Sequence, residues 1–98
     1  MLKIAETNYS YPLDTSWTTE EIIVVIGFYN NVEKANEKGI TKQDLLASYE
    51  QFKKIVPSKM QEKQLGKQFE TVSGYSIYQT VQAAKQSQNK IILMKKGL

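Results

Sequence analysis

The chain reads as an all-α domain, a compact array of four helices with short connections, and three features of the sequence predict it. Four segments carry apolar residues at helical period, each opens on a threonine or serine placed to cap a helix, and the joints at Gly39, Pro57 and Gly74 are brief. Helices joined so closely must pack on one another, antiparallel or cornered. With 98 residues there is room for one core, so 1–98 is expected as a single helical domain. Residues 1–17 form an N-terminal arm in this reading, and 89–98 a basic tail whose order the sequence leaves open.

The first helix opens at Trp17-Thr18-Thr19-Glu20-Glu21. Thr18 is placed as the cap, Glu21 as the return half of a capping box, and Trp17 as a hydrophobic staple onto Ile22. The stretch Ile22 to Tyr29 is rich in β-branched residues and has the composition of a buried strand. A strand there would leave the Thr18 cap unused and Val32 to Glu37 without a structure reaching Gly39, so the spacing favours a helix. Because its apolar residues occupy most of the circumference, this helix is expected at the centre, with Ile22 to Tyr29 buried.

Gly39 suits the left-handed position after a helix, and Ile40 to Leu45 repeats the cap-and-staple logic with Thr41 as cap. The second helix then carries Leu45, Tyr49, Phe52 and Val56 along one face, and Pro57 stops it. Ser58-Lys59-Met60-Gln61 is a second cap-and-box signature, leading into Leu65, Phe69 and Val72 and ending at Gly74. Ser76 caps the fourth helix, with Ile77, Val81 and Ala84 on its apolar side, fraying near Ser87 to Asn89. Ile91 to Met94 has three readings that local sequence does not separate: an extension of helix four, a short strand, or a segment docked on a partner.

Composition removes much chemistry. There is no cysteine and no histidine, so disulfides, thiol nucleophiles, imidazole bases and the usual zinc ligands are excluded. No cofactor and no metal are expected. The longest apolar run, Ile22 to Ile26, is far below the roughly 18 residues of a membrane span, and Met1 to Ser10 has no apolar signal core, so a cytoplasmic protein away from membranes is expected. The basic side chains are all lysine, without the bidentate guanidinium that reads bases and clamps phosphates, which counts against nucleic acid as the partner. Charge is nonetheless uneven: residues 1–33 sum to −4 and residues 71–98 to +4.

Several constellations have both a functional and a plain reading. Tyr11, Pro12, Asp14 and Trp17 concentrate recognition chemistry just before the first helix, yet an arm folded over the core, with Asp14 in a local turn, accounts for them. Ser58 and Lys59 at a helix start, with Lys63 nearby, resemble a crude anion site, but no glycine-rich cradle accompanies them and capping explains Ser58. The third helix shows Lys59, Lys63, Gln64, Lys67 and Gln68, the makings of a DNA-reading face, interrupted by Glu62 and Glu70. Ser73-Gly74-Tyr75-Ser76 with Tyr78 superficially suggests a nucleophile loop, but it lacks a base, and a glycine stop followed by a serine cap describes it better. Glu20 and Glu21, being adjacent, diverge around the helix and make a poor carboxylate pair.

Three blocks carry a family resemblance. Tyr11-Pro12-Leu13-Asp14 with Trp17 and Thr19-Glu20-Glu21 comes first; the second runs from Phe52-Lys53 through Ile55-Val56-Pro57-Ser58-Lys59 to Glu62-Lys63. Phe69 with Ser73-Gly74-Tyr75-Ser76 and Tyr78 is the third. In order and spacing they resemble the bacterial family UPF-0223, across about Tyr9 to Lys85. The resemblance implies an all-helical cytoplasmic domain and supplies no activity, substrate or binding residue. Asn36 departs from the aromatic expected in relatives, and Gln79 from an arginine.

The functional expectation is therefore a non-enzymatic interaction module that binds a protein partner or itself. Its candidate surface comprises Tyr11, Pro12, Asp14, Trp17, Ser58, Lys59, Lys63, Tyr75 and Tyr78. The alternative is a weak nucleic-acid or anionic-surface binder using Lys85, Lys90, Lys95 and Lys96 together with the third helix.

Overall fold

Capping fixes where the chain turns helical. In the computed structural model, which describes residues 11–94, helix α1 spans Thr19–Glu37. The Thr18 hydroxyl accepts from the Glu21 N–H at 3.1 Å, and the Glu21 carboxylate accepts from the Thr18 N–H at 2.9 Å, closing the expected box. The Ile22 to Tyr29 stretch is helical throughout. At the far end Gly39, with φ +101°, donates its N–H to the Lys34 carbonyl at 2.6 Å.

Helix α2, Lys42–Ile55, is capped by Thr41, whose hydroxyl accepts from the Asp44 N–H at 3.1 Å. Helix α3, Lys59–Ser73, is capped by Ser58, which accepts from the Gln61 N–H at 3.2 Å. Here the expected box stays half made. The Gln61 side chain donates instead to the Asp14 carboxylate at 3.1 Å, tying the start of α3 to the arm. Helix α4, Ile77–Gln86, takes Ser76 as its cap.

Gly74 joins α3 to α4 in the left-handed conformation, φ +85°, with its N–H on the Glu70 carbonyl at 2.8 Å. A side chain is strained in that region, so Gly74→Ala is expected to cost about 1 to 2 kcal/mol, read as a lower urea midpoint. A substituted methyl would meet no neighbour within 4 Å, so the loss isolates backbone strain from crowding.

Ile40–Thr41 (β1) and Ile91–Ile92 (β2) form a two-stranded antiparallel ladder, Ile40 opposite Ile92 and Thr41 opposite Ile91. Of the three readings for Ile91 to Met94, the short strand is the one found. The Lys42 N–H donates to the Lys90 carbonyl at 2.7 Å and the Met94 N–H to the Ala35 carbonyl at 2.6 Å, so the ladder returns the chain to the C-terminal end of α1. Ile92 is buried in the core. Gly39 also admits this strand closely, since a Cβ there would stand 3.3 Å from the Ile91 side chain.

The core is organised around aromatic rings. Phe28 stacks on Phe52 at 4.7 Å between centroids, and Tyr29 stacks on Phe69 at 4.8 Å. Tyr11 and Tyr49 extend the chain of rings at its two ends. Val25, Val32, Ala35, Leu45, Val56, Leu65, Ile77, Val81 and Ala84 fill the space around them. Thr80 is the polar residue buried with them: its hydroxyl donates to the Ser76 carbonyl and accepts from the Asn36 amide at 3.0 Å. Asn36 thus forms a polar link between α1 and α4.

One expectation is corrected. The Ile22 to Tyr29 segment is buried along one side only: Val25, Phe28 and Tyr29 are inaccessible, whereas Ile23 is 64% exposed and Ile22, Val24 and Ile26 are half-buried. Three companion helices and an arm cover the side of α1 that carries Val25, Phe28, Val32 and Ala35. Ile23 projects from the opposite side, about 200° from Val25 around the helix.

Candidate functional site

The arm reaches α1 through two tyrosines. Tyr29, buried among aromatic rings, donates its hydroxyl to the Pro12 carbonyl at 2.8 Å. The Tyr11 hydroxyl lies 3.0 Å from both the Asn30 side-chain oxygen and the Glu33 carboxylate and shares its proton between them. Asp14 then closes the turn into α1, accepting from the Ser16 N–H at 2.9 Å and the Ser16 hydroxyl at 2.8 Å. The Ser16 backbone bond first, and its hydroxyl second, hold the Asp14 carboxyl below its ordinary range. Trp17 lies partly buried against the core. Pro12 is buried, so what it contributes to this region is a carbonyl held by the fold.

Gln61 on Asp14 brings together two groups that the sequence presents separately, the arm and the start of α3. Between them runs an open groove with Leu13, Asp14 and Thr15 on one wall and Gln61, Gln64, Leu65 and Gln68 on the other. Ser58 is spent on its cap, while Lys59 and Lys63 extend into solvent from the same helix. The other two candidates sit at the α3–α4 corner. Tyr75 donates to the Glu37 carboxylate at 2.7 Å, at the C-terminal end of α1, and Tyr78 is 72% exposed.

A cluster absent from the sequence reading lies where α2, α3 and α4 meet. Glu62 accepts from the Tyr49 hydroxyl at 2.9 Å and from the Lys53 ammonium at 2.6 Å, and the Lys85 ammonium sits 5.4 Å from the centre of the Tyr49 ring. The available signal was the i, i+4 spacing of Tyr49 and Lys53, which puts both on one face. Lys85, grouped with the basic tail in the alternative reading, is thereby drawn into the helix junction. Lys95 and Lys96 lie outside the described residues.

Burial, then the bond and the charge of Glu62, push the Tyr49 hydroxyl up to about 12. Burial likewise raises Tyr29 well above the ordinary phenol range. A phenol harder to ionise when folded contributes stability that is complete below the unfolded value near 10 and is lost as pH rises toward the folded value. The urea midpoint is therefore expected to hold up to about pH 10 and to fall from there toward 12, with Tyr49→Phe making the fall shallower. A midpoint that rises across that range is the contrary result.

Among the described residues, no group of three or more Asp, Glu, His or Cys is placed to hold a metal ion, and no helix is long and apolar enough to cross a membrane. The residues able to transfer protons are dispersed. Asp14 belongs to the arm turn, Glu62 to the helix junction and Glu37 to the α3–α4 corner. On the outer side of α1, Ile23 is 64% exposed beside half-buried Ile22, Val24 and Ile26.

The sequence is similar to that of a known family and several of its members. The description Uncharacterised protein family (UPF0223) matches residues 8–93. A UPF0223 protein of Streptococcus gordonii is 55% identical over 89 residues, covering 91% of this chain and 97% of the relative. One from Streptococcus sanguinis is 60% identical over 78 residues, 80% of this chain and 85% of its own length. A third, from Bacillus cytotoxicus, is 53% identical over 87 residues, 88% and 98% of the two chains. With residues 8–17 of its arm, all four helices and both strands inside the matched span, the chain belongs to the UPF0223 family.

Proposed function

We propose that the chain is a non-enzymatic interaction module of the cytoplasm whose outer α1 face meets a protein partner or a second copy. The observation that carries this reading is the mismatch between the sequence of α1 and its burial. A helix apolar nearly all round is ordinarily covered all round. Here Val25, Phe28 and Tyr29 are covered, while Ile23 stands 64% exposed between half-buried Ile22, Val24 and Ile26. Contiguous aliphatic surface on a rigid helix favours association.

Cross-linking the full chain in its native cell, followed by mass spectrometry, tests the proposal. Wild type is compared with Ile23→Lys and with Met60→Lys, a control at an exposed methionine on α3. The expected result is a cross-linked species, heterologous or homologous, that disappears with Ile23→Lys and persists with Met60→Lys. If no species depends on Ile23, the reading fails.

A further inference from the structure

Resting on that reading, we propose that the outer face of α1 seats the same face of a second copy, the two helices crossing antiparallel about a twofold axis at Gly27. Three exposed-side positions define it. Glu20, Gly27 and Lys34 follow one another at seven-residue intervals, so they lie nearly in line along the helix, about two turns apart. Glu20 and Lys34 are both exposed, and among the described residues neither makes an ion pair within the chain.

Gly27 marks the crossing. Among the described residues, its chain neighbours and the helix's own backbone aside, no atom lies within 4 Å of where its Cβ would stand, so no packing contact there requires a glycine, although glycine weakens a helix interior. The missing side chain lets a second backbone approach closely, with Ile23 one turn away and Ile26 beside it closing the contact.

Charge selects the occupant and its direction. A twofold axis at Gly27 carries each residue n places after the glycine onto the partner's residue n places before it. Glu20 of one copy then faces Lys34 of the other, and the pairing occurs twice because the interface is isologous. A parallel arrangement would oppose like charges at both ends. A face carrying opposite charges at equal distances from an open glycine is complementary to itself.

Sedimentation of the full chain from about 1 µM to about 500 µM tests this. A reversible monomer–dimer equilibrium is expected for wild type. Gly27→Ala is expected to raise the thermal midpoint of the monomer while weakening the dimer, since a Cβ helps the helix and obstructs the crossing. Glu20→Lys and Lys34→Glu should each weaken self-association, by roughly tenfold. Mixing these two variants should restore a heterodimer, because every cross-pair is again opposite in sign. The double variant Glu20→Lys/Lys34→Glu should recover it alone. A chain monomeric throughout, or a dimer insensitive to Gly27→Ala and to the mixing, overturns the proposal. A monomer that still loses a heterologous cross-link with Ile23→Lys overturns the dimer alone and leaves the broader interaction reading standing.

Discussion

Phe69→Ala is expected to destabilise the fold by about 3 to 5 kcal/mol, the range for truncating a fully buried phenylalanine. The ring is inaccessible to solvent, stacks on Tyr29 at 4.8 Å, and lies 6.1 Å from the Tyr11 ring. It is also one of only two α3 side chains buried in the core, the other being Leu65. Among the described residues, the side-chain hydrogen bonds that tie α3 to other elements lie nearer the surface: Glu62 to Tyr49 and Lys53, and Gln61 to Asp14. Removing the ring therefore takes away transfer energy and leaves a cavity at the place where α3 and the arm converge. Urea denaturation measures the loss. Phe69→Leu, which keeps most of the volume, should recover much of it, and a loss below about 1 kcal/mol for Phe69→Ala would show that this junction collapses around the gap.

What was legible in the sequence and what was not divides along the range of each interaction. The caps at Thr18, Thr41, Ser58 and Ser76 each bond a backbone N–H three residues on, so the residues that decide them adjoin one another in the chain. The apolar stripes of α2, α3 and α4 are readable for the same reason. By contrast, Ile40 and Ile92 become partners only after three helices have folded between them, and no local pattern selects strand over helix for Ile91 to Met94. The candidate surface was partly legible: the arm and the start of α3 were both marked, but not their meeting. Gln61 had two possible partners, the Ser58 N–H at its own helix cap and the Asp14 carboxylate, and only the folded arm puts the second within reach. Glu62, Tyr49, Lys53 and Lys85 meet across three helices and left only the Tyr49 and Lys53 spacing as a trace.

The exposure of Ile23 is the instructive miss. Composition showed that α1 is apolar around most of its circumference but could not say how many neighbours would surround it. Three companion helices and the arm cover the Val25, Phe28, Val32 and Ala35 side and run out before reaching the other. The hydrophobicity that seemed to require a central position thus splits between a core and a surface.

Tyr29→Phe is expected to cost about 1 to 3 kcal/mol, the penalty for depriving a buried acceptor of its donor, and to act mainly on the arm. The phenylalanine ring keeps the stack on Phe69 and the contact with Phe28, so hydrophobic packing is nearly unchanged. What disappears is the 2.8 Å bond to the carbonyl of buried Pro12, the deepest polar attachment between the arm and α1. Trp17, a few residues along that arm and partly buried against the core, reports the change: its emission should shift to the red and residues 11–17 should become more open to protease, while far-ultraviolet ellipticity holds. Unchanged emission and unchanged cleavage would mean that ring packing by Tyr11 and Trp17 holds the arm without help from the hydroxyl. In that case the tyrosine at position 29 would owe its place to the aromatic stack, and the arm could be remodelled without disturbing the outer face of α1.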